Sequence, residues 1–255
     1  MKRLFLLILM FFTVLSCEND NFGTVENALS VNSLMNKVSA SSHSVTSAGE
    51  LHNMHLDEMF DYLTAQHDLN SSNIDQYSHN YFNSIEYGNL ATNSYNNVRA
   101  NGEYDFEFSE DFINEMENLN LILETSDFAN MEDFKNYILT YNPTFLEDEN
   151  DLIAWEYYVD VFSHSFEYWA GNSHEWMGLV SGKFNLLSSE GGKCKDGGWW
   201  KRTWCNVRSF VVSDAAAAAS NVIVTLIAGT NPVTFSAVAG AALGASAAAI
   251  IKDIF

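Results

Sequence analysis

Proline occurs twice in the 255 residues, at Pro143 and Pro232, and basic side chains are scarce. With so little proline, helices can run long without interruption. Twelve Lys and Arg face 33 Asp and Glu, a formal net charge of −21. Such a surface repels phosphate backbones, so nucleic acid is not expected as a partner. Cysteine occurs three times, at Cys17, Cys194 and Cys205. That is too few for a disulfide-built scaffold, and no C-x-x-C spacing or nearby His suggests zinc. No Gly-x-Ser-x-Gly elbow, Walker loop or dinucleotide fingerprint occurs. No catalytic residue, metal or cofactor is therefore assigned, and the reading leans away from an enzyme.

What is present begins at the first residue. Met1-Lys2-Arg3 is basic, Leu4 to Leu15 is almost wholly apolar, and Val14-Leu15-Ser16-Cys17 is followed by polar Glu18-Asn19-Asp20. The apolar run is too short to span a bilayer, which takes ~20 residues. Its layout is that of an export signal. These residues resemble a bacterial lipoprotein signal peptide with its lipobox. The resemblance implies cleavage before Cys17 and lipidation of that cysteine, with membrane lipid as a partner. It also implies a cell-envelope location, anchored to the outer membrane, with Glu18-Asn19-Asp20 similar to a surface-export tag. Residues 1–16 are then the signal peptide. Residues 17–47, rich in Ser, Asn and Val, form a flexible tether.

Charge divides the remainder. Residues 18–190 carry thirty acids and only Lys37, Arg99, Lys135 and Lys183. Residues 191–255 carry six bases against Asp196, Asp214 and Asp253. The expected organisation is an acidic helical domain over 48–190, then a basic, aromatic segment with a hydrophobic hairpin over 191–255. The boundary is placed near Ser188–Gly192. In an oxidising compartment Cys194 and Cys205 read as one disulfide, worth ~3 kcal/mol on the chain-entropy model.

The body reads as all-α, an irregular helical bundle. Ser47 with Glu50 makes a capping box. His52, Leu56, Met59, Phe60, Leu63 and His67 then share one helical face. A looser helix is expected around Ser78–Ala100, and Asn101-Gly102 marks a turn. Ser109 caps a helix with Phe112, Ile113, Met116, Leu119 and Leu123 on one side. A short helix over Met131–Tyr141 stops before Pro143. Leu152, Trp155, Val159, Phe162, Phe166 and Trp169 recur at spacings of three and four, a wide aromatic stripe. Gly171 is expected to end that helix, with Asn172 or Ser173 capping another through Val180.

The last segment differs in kind. Trp199, Trp200, Lys201, Arg202 and Trp204 are candidates for a membrane interface, where aromatic and basic side chains form belts. Val211 to Ala228 contains one charge, Asp214. Gly229-Thr230-Asn231-Pro232 makes a turn, with Asn231 as cap and Pro232 first in the next helix. Gly240, Gly244 and Ala248 then form a small-xxx-small ridge for close backbone packing. This Ala- and Gly-rich hairpin resembles those of bacteriocins and colicin-like pore formers in composition, which implies bilayer insertion. The alternative is a buried helical pair at the centre of the domain.

Isolated polar residues suggest little chemistry. His52 and His55 lack a third metal ligand, and His52 reads as a core histidine bonded to a carbonyl. Gly49-Glu50-Leu51-His52-Asn53 is similar to a Gly-x-x-His-Asn helix start in uncharacterised secreted bacterial proteins, which implies no activity. His174-Glu175 lacks the second His of a zinc protease, because Gly178 stands there. Ser163-His164-Ser165 point apart on a helix. Asp57, Asp61 and Glu147-Asp148-Glu149 read as solvated acids, while Glu156, Tyr157, His164 and Glu167 mark a second surface. Three roles follow: a non-enzymatic lipoprotein that binds or supports a partner, a membrane-active effector using its hairpin, and, weakest, a hydrolase.

Overall fold

Eight helices and no strand make up the described residues of the computed structural model, which are 47–101, 106, 108–181, 197–229 and 232–254. The helices are α1 Ala48–Thr64, α2 Ile74–Phe82, α3 Gly88–Asn101, α4 Glu110–Thr125, α5 Met131–Thr140, α6 Glu149–Ser181, α7 Trp199–Ala228 and α8 Phe235–Ile254. The fold is an all-α bundle. Cys17, the signal peptide, most of the tether and Cys194 lie outside the described residues.

Local chemistry sets most boundaries. The Ser47 hydroxyl accepts the Glu50 backbone N–H at 3.2 Å and starts α1. Ser109 and Asn130 cap α4 and α5 in the same way, accepting from Phe112 and Asp133. These caps satisfy orphan donors of the first turn. The expected single helix over Ser78–Ala100 is instead two. Tyr87 adopts φ 59°, and Gly88 packs so tightly on the Phe82 carbonyl that a Cβ would overlap it. The chain turns sharply there, which a helix cannot do.

Two other boundaries also differ from expectation. Gly171 does not end α6, which continues to Ser181. Continuation buries Trp176 against Phe60 and Trp169 and lets its indole N–H donate to Tyr168 at 2.9 Å. Burying one large side chain outweighs the ~1 kcal/mol a mid-helix glycine costs. Gly229 does terminate α7 in the left-handed region. However, α8 starts at Phe235 with Thr234 accepting the Ala237 N–H, so Pro232 lies before the helix.

The core has two parts. Phe128, Phe134, Phe166 and Trp200 form an aromatic block between α5, α6 and α7, with centroids 4.3 to 5.1 Å apart for the closest pairs. The other part is built on α8, whose residues 237–251 are all buried. It packs against α3, α7 and α1, while α6 packs mainly against α7 and α1. A Cβ on Gly244 would collide with the Ala91 carbonyl, and one on Gly240 would lie 3.2 Å from the Tyr87 carbonyl oxygen. The glycine ridge therefore faces α3, not its hairpin partner. Composition changes near Ser188–Gly192, yet helices from both sides share one core.

Candidate functional site

One buried polar cluster gathers a side chain from each of the four longest core elements. His52 comes from α1, Ser165 and Trp169 from α6, Asp214 from α7 and Ser246 from α8. All five are fully buried. The Asp214 Oδ2 accepts the Ser165 hydroxyl at 2.6 Å and the Trp169 indole N–H at 3.0 Å. His52 Nε2 lies 3.0 Å from the Ser246 hydroxyl and 3.5 Å from Asp214 Oδ2.

The start of α1 orients this histidine. Asn53 donates its Nδ2 to the His164 carbonyl at 2.9 Å, which turns its Oδ1 toward His52 Nδ1 at 3.1 Å. An oxygen there requires the proton on Nδ1. Nε2 then carries a lone pair and accepts from Ser246. That lone pair also faces Asp214, an arrangement relieved when the carboxyl is protonated. Burial acts in the same direction. It lifts Asp214 to about 7 and drops His52 to about 3, so both groups favour their neutral forms.

Gly49 permits the close approach of α1 to α6. A Cβ there would meet His164 Nδ1 at 2.6 Å and the Asp160 carbonyl at 2.8 Å. The Gly49 backbone N–H donates to Asp160 Oδ2 at 2.9 Å, and His164 Nδ1 lies 3.2 Å from Oδ1 of the same carboxylate. Burial lowers the His164 pKa, but hydrogen bonding and the charge of Asp160 outweigh it and hold it above the ordinary value. Gly49, His52 and Asn53 thus each fasten α1 to a neighbour.

Ser246, His52 and Asp214 have the residue types of a nucleophile, a base and an acid. A substrate must nevertheless reach the nucleophile, and none of these side chains touches solvent. Their chemistry is that of an internal crosslink. His52 bonds a side-chain carbonyl, that of Asn53, through Nδ1, and a hydroxyl, that of Ser246, through Nε2. Ser165 and His164 serve different clusters, as neighbours on a helix must.

The remaining candidates are dispersed. Trp199, Lys201 and Arg202 are exposed at the start of α7, whereas Trp200 and Trp204 are buried. The Trp200 indole donates to the Leu123 carbonyl at 3.0 Å, and Trp204 stacks on Trp200. The five-residue belt read from sequence therefore presents three groups outward. Cys205 is exposed in the second turn of α7. Gly240, Gly244 and Ala248 are all buried. His55 pairs with Glu58 at 3.2 Å, and His67 lies beyond the end of α1, exposed. No group of three or more metal-ligating side chains forms among the described residues.

Sequence reasoning missed Asp214, Ser165 and Ser246 as partners of His52. Each is an isolated polar residue on an otherwise apolar helical face, and that shared oddity was the available signal. In comparisons with protein families, curated proteins and solved structures, the chain has no significant match.

Proposed function

We propose that the protein is a lipid-anchored extracytoplasmic protein with a non-enzymatic binding or structural role. Cys17 carries the lipid, and the helical body projects from an outer membrane. The C-terminal hairpin is the body's own core, and Cys194 and Cys205 close a disulfide at its entrance. The observation that most supports this reading is the burial of α7 and α8. Both are long and apolar enough to cross a membrane, yet most of each is covered by other helices. Asp214 also supports it, being held midway along α7 by donors from α6.

The deciding experiment is dye release from lipid vesicles, using protein from residue 18 onward. It is run beside circular dichroism of a variant lacking Val211–Phe255. No release from the folded body, and loss of helicity on deletion, support a core hairpin. Release by the intact protein, with the deleted variant still folded, overturns it.

A second reading, a membrane-active effector, is favoured by one feature. Val224 and Ile227 are 63% and 73% exposed near the hairpin turn. No charge occurs between Asp214 and Lys252. An apolar tip of this kind is suited to contact a bilayer first. The same release assay separates the two readings.

A further inference from the structure

The buried cluster holds two titratable side chains, His52 and Asp214, with no fixed cation beside them. Among the described residues, the lysines and arginines that form ion pairs do so with Asp75, Glu124 and Glu167, never with Asp214. Asp214 is met instead by the Ser165 hydroxyl and the Trp169 indole from α6, and by Ser246 from α8. Beyond Asp214 the chain carries no charge before Lys252, near the end of α8. Toward α1 and α6, His55 and His164 oppose a second proton on the His52 ring, and Asp160 favours one.

Two arrangements of this pair bind the same number of protons. One is an ion pair, imidazolium beside carboxylate. The other is neutral, imidazole beside carboxylic acid. They differ in where a single proton sits, and the geometry separates them. Asp214 Oδ2 is 3.5 Å from His52 Nε2, beyond hydrogen-bond range, while the Ser246 hydroxyl meets Nε2 at 3.0 Å. An imidazolium would therefore donate to a hydroxyl and leave its counter-ion unbonded. A carboxylate would spread its charge over both oxygens, yet Oδ1 is buried without a hydrogen-bond partner. A bare buried charge costs far more than a bare neutral oxygen. Burial also moves both groups toward neutrality, the carboxyl up and the imidazole down.

We propose that folding transfers one proton from His52 to Asp214, so that the cluster joins α1 to the hairpin with no net uptake or release of protons. The imidazolium of the unfolded chain loses its Nε2 proton, the carboxylate gains one, and both charges vanish. This balance holds between pH 3.8 and 6.5, the ordinary values of the two groups, where the unfolded chain carries His52 positive and Asp214 negative. Equal proton counts in the two states leave stability without a slope in pH. Either group alone would make the joint a pH switch. Together they form a compensated pair, which keeps the core indifferent to acid over that interval. The inference rests on the cluster and not on the lipid anchor.

The test has two arms, both on protein from residue 18 onward. Nitrogen-15 NMR of the histidine rings locates the proton in the native protein. We expect His52 to stay neutral between pH 3.8 and 6.5, with Nδ1 protonated and Nε2 bare. A ring protonated on both nitrogens there is the ion pair and overturns the proposal. Urea unfolding over the same interval counts protons. Relative to the native protein, the unfolding constant of Asp214→Asn should rise about tenfold for each pH unit of acidification. That of His52→Gln should rise about tenfold for each unit in the opposite direction. Courses parallel to the native one in folded variants also overturn it. Should neither variant fold, the ring spectrum of the native protein decides alone.

Discussion

His52 Nε2 of α1 and Asp214 Oδ2 of α7 lie 3.5 Å apart, both without solvent exposure. A pair taken out of water this completely depends on its remaining hydrogen bonds. Asp214→Ala leaves the Ser165 hydroxyl and the Trp169 indole N–H unpaired and opens a void. The expected loss is about 3 kcal/mol or more, read as a lowered midpoint in urea unfolding. Asp214→Asn keeps one acceptor oxygen and should cost clearly less. Equal losses in the two variants would show that the hydrogen bonds do not hold the helices.

The same pair sets a pH dependence. Asp214 rises from 3.8 to about 7 on folding, so the unfolded chain releases its proton first, and stability from this group falls as pH rises through that window. His52 drops from 6.5 to about 3, so the unfolded chain gains a proton first, and stability is lost as pH falls through that window. The two slopes oppose each other over their shared range. Asp214→Asn removes one of them. Its stability should therefore decline more steeply than the native protein's on acidification from pH 6.5, measured as melting temperature against pH. Parallel curves would contradict this coupling.

Glycine substitutions should separate by their surroundings. Gly244→Ala drives a methyl into the Ala91 backbone and should cost several kcal/mol, because backbone cannot repack locally. Gly240→Ala meets the Tyr87 carbonyl oxygen at 3.2 Å and should cost less. Gly171→Ala meets nothing within 4 Å in mid-helix and should stabilise by up to about 1 kcal/mol. Thermal melts of the three variants give the order directly, and any other order refutes the packing of α8 on α3.

Much of this arrangement was readable in advance. The caps at Ser47 and Ser109, the aromatic stripe of α6 and the glycine ridge all rest on local periodicity, which survives without tertiary information. The continuation of α6 through Gly171 was not readable, because it depends on Trp176 finding Phe60, a residue remote in sequence. The glycine ridge announced close packing but not its partner. The start of α8 moved from Pro232 to the residue after Thr234, since two cap chemistries compete over a few residues. The polar cluster was least legible: five residues from four helices, up to 194 positions apart, acquire meaning only once the helices meet.

Glu115 offers an independent check on the loop before α6. Fully buried, it accepts the Tyr141 hydroxyl at 2.6 Å and the backbone N–H groups of Thr144 and Phe145 at 2.6 and 2.7 Å. Glu115→Gln replaces one acceptor oxygen by a donor facing donors. We expect a loss of about 1–3 kcal/mol and faster amide exchange at Thr144 and Phe145. Unchanged exchange there would mean that the loop is held by other contacts.

The proposed lipid anchor and the proposed disulfide are each open to a single measurement. Cys17→Ala should move the protein from membrane to soluble fractions, and unchanged retention would demand another anchor. Thiol titration of unreduced protein should find neither Cys194 nor Cys205 reactive. Two reactive thiols would remove the bridge.

The position of α8 in the chain carries a consequence for biosynthesis. α3 is made some 130 residues before it and lacks its main packing partner until α8 emerges. Contacts of such long sequence separation slow folding. That helix must therefore wait, within a stretch whose excess of acids repels itself, until α8 has been made. A polypeptide that postpones part of its core in this way stays threadable over the stretch made in between.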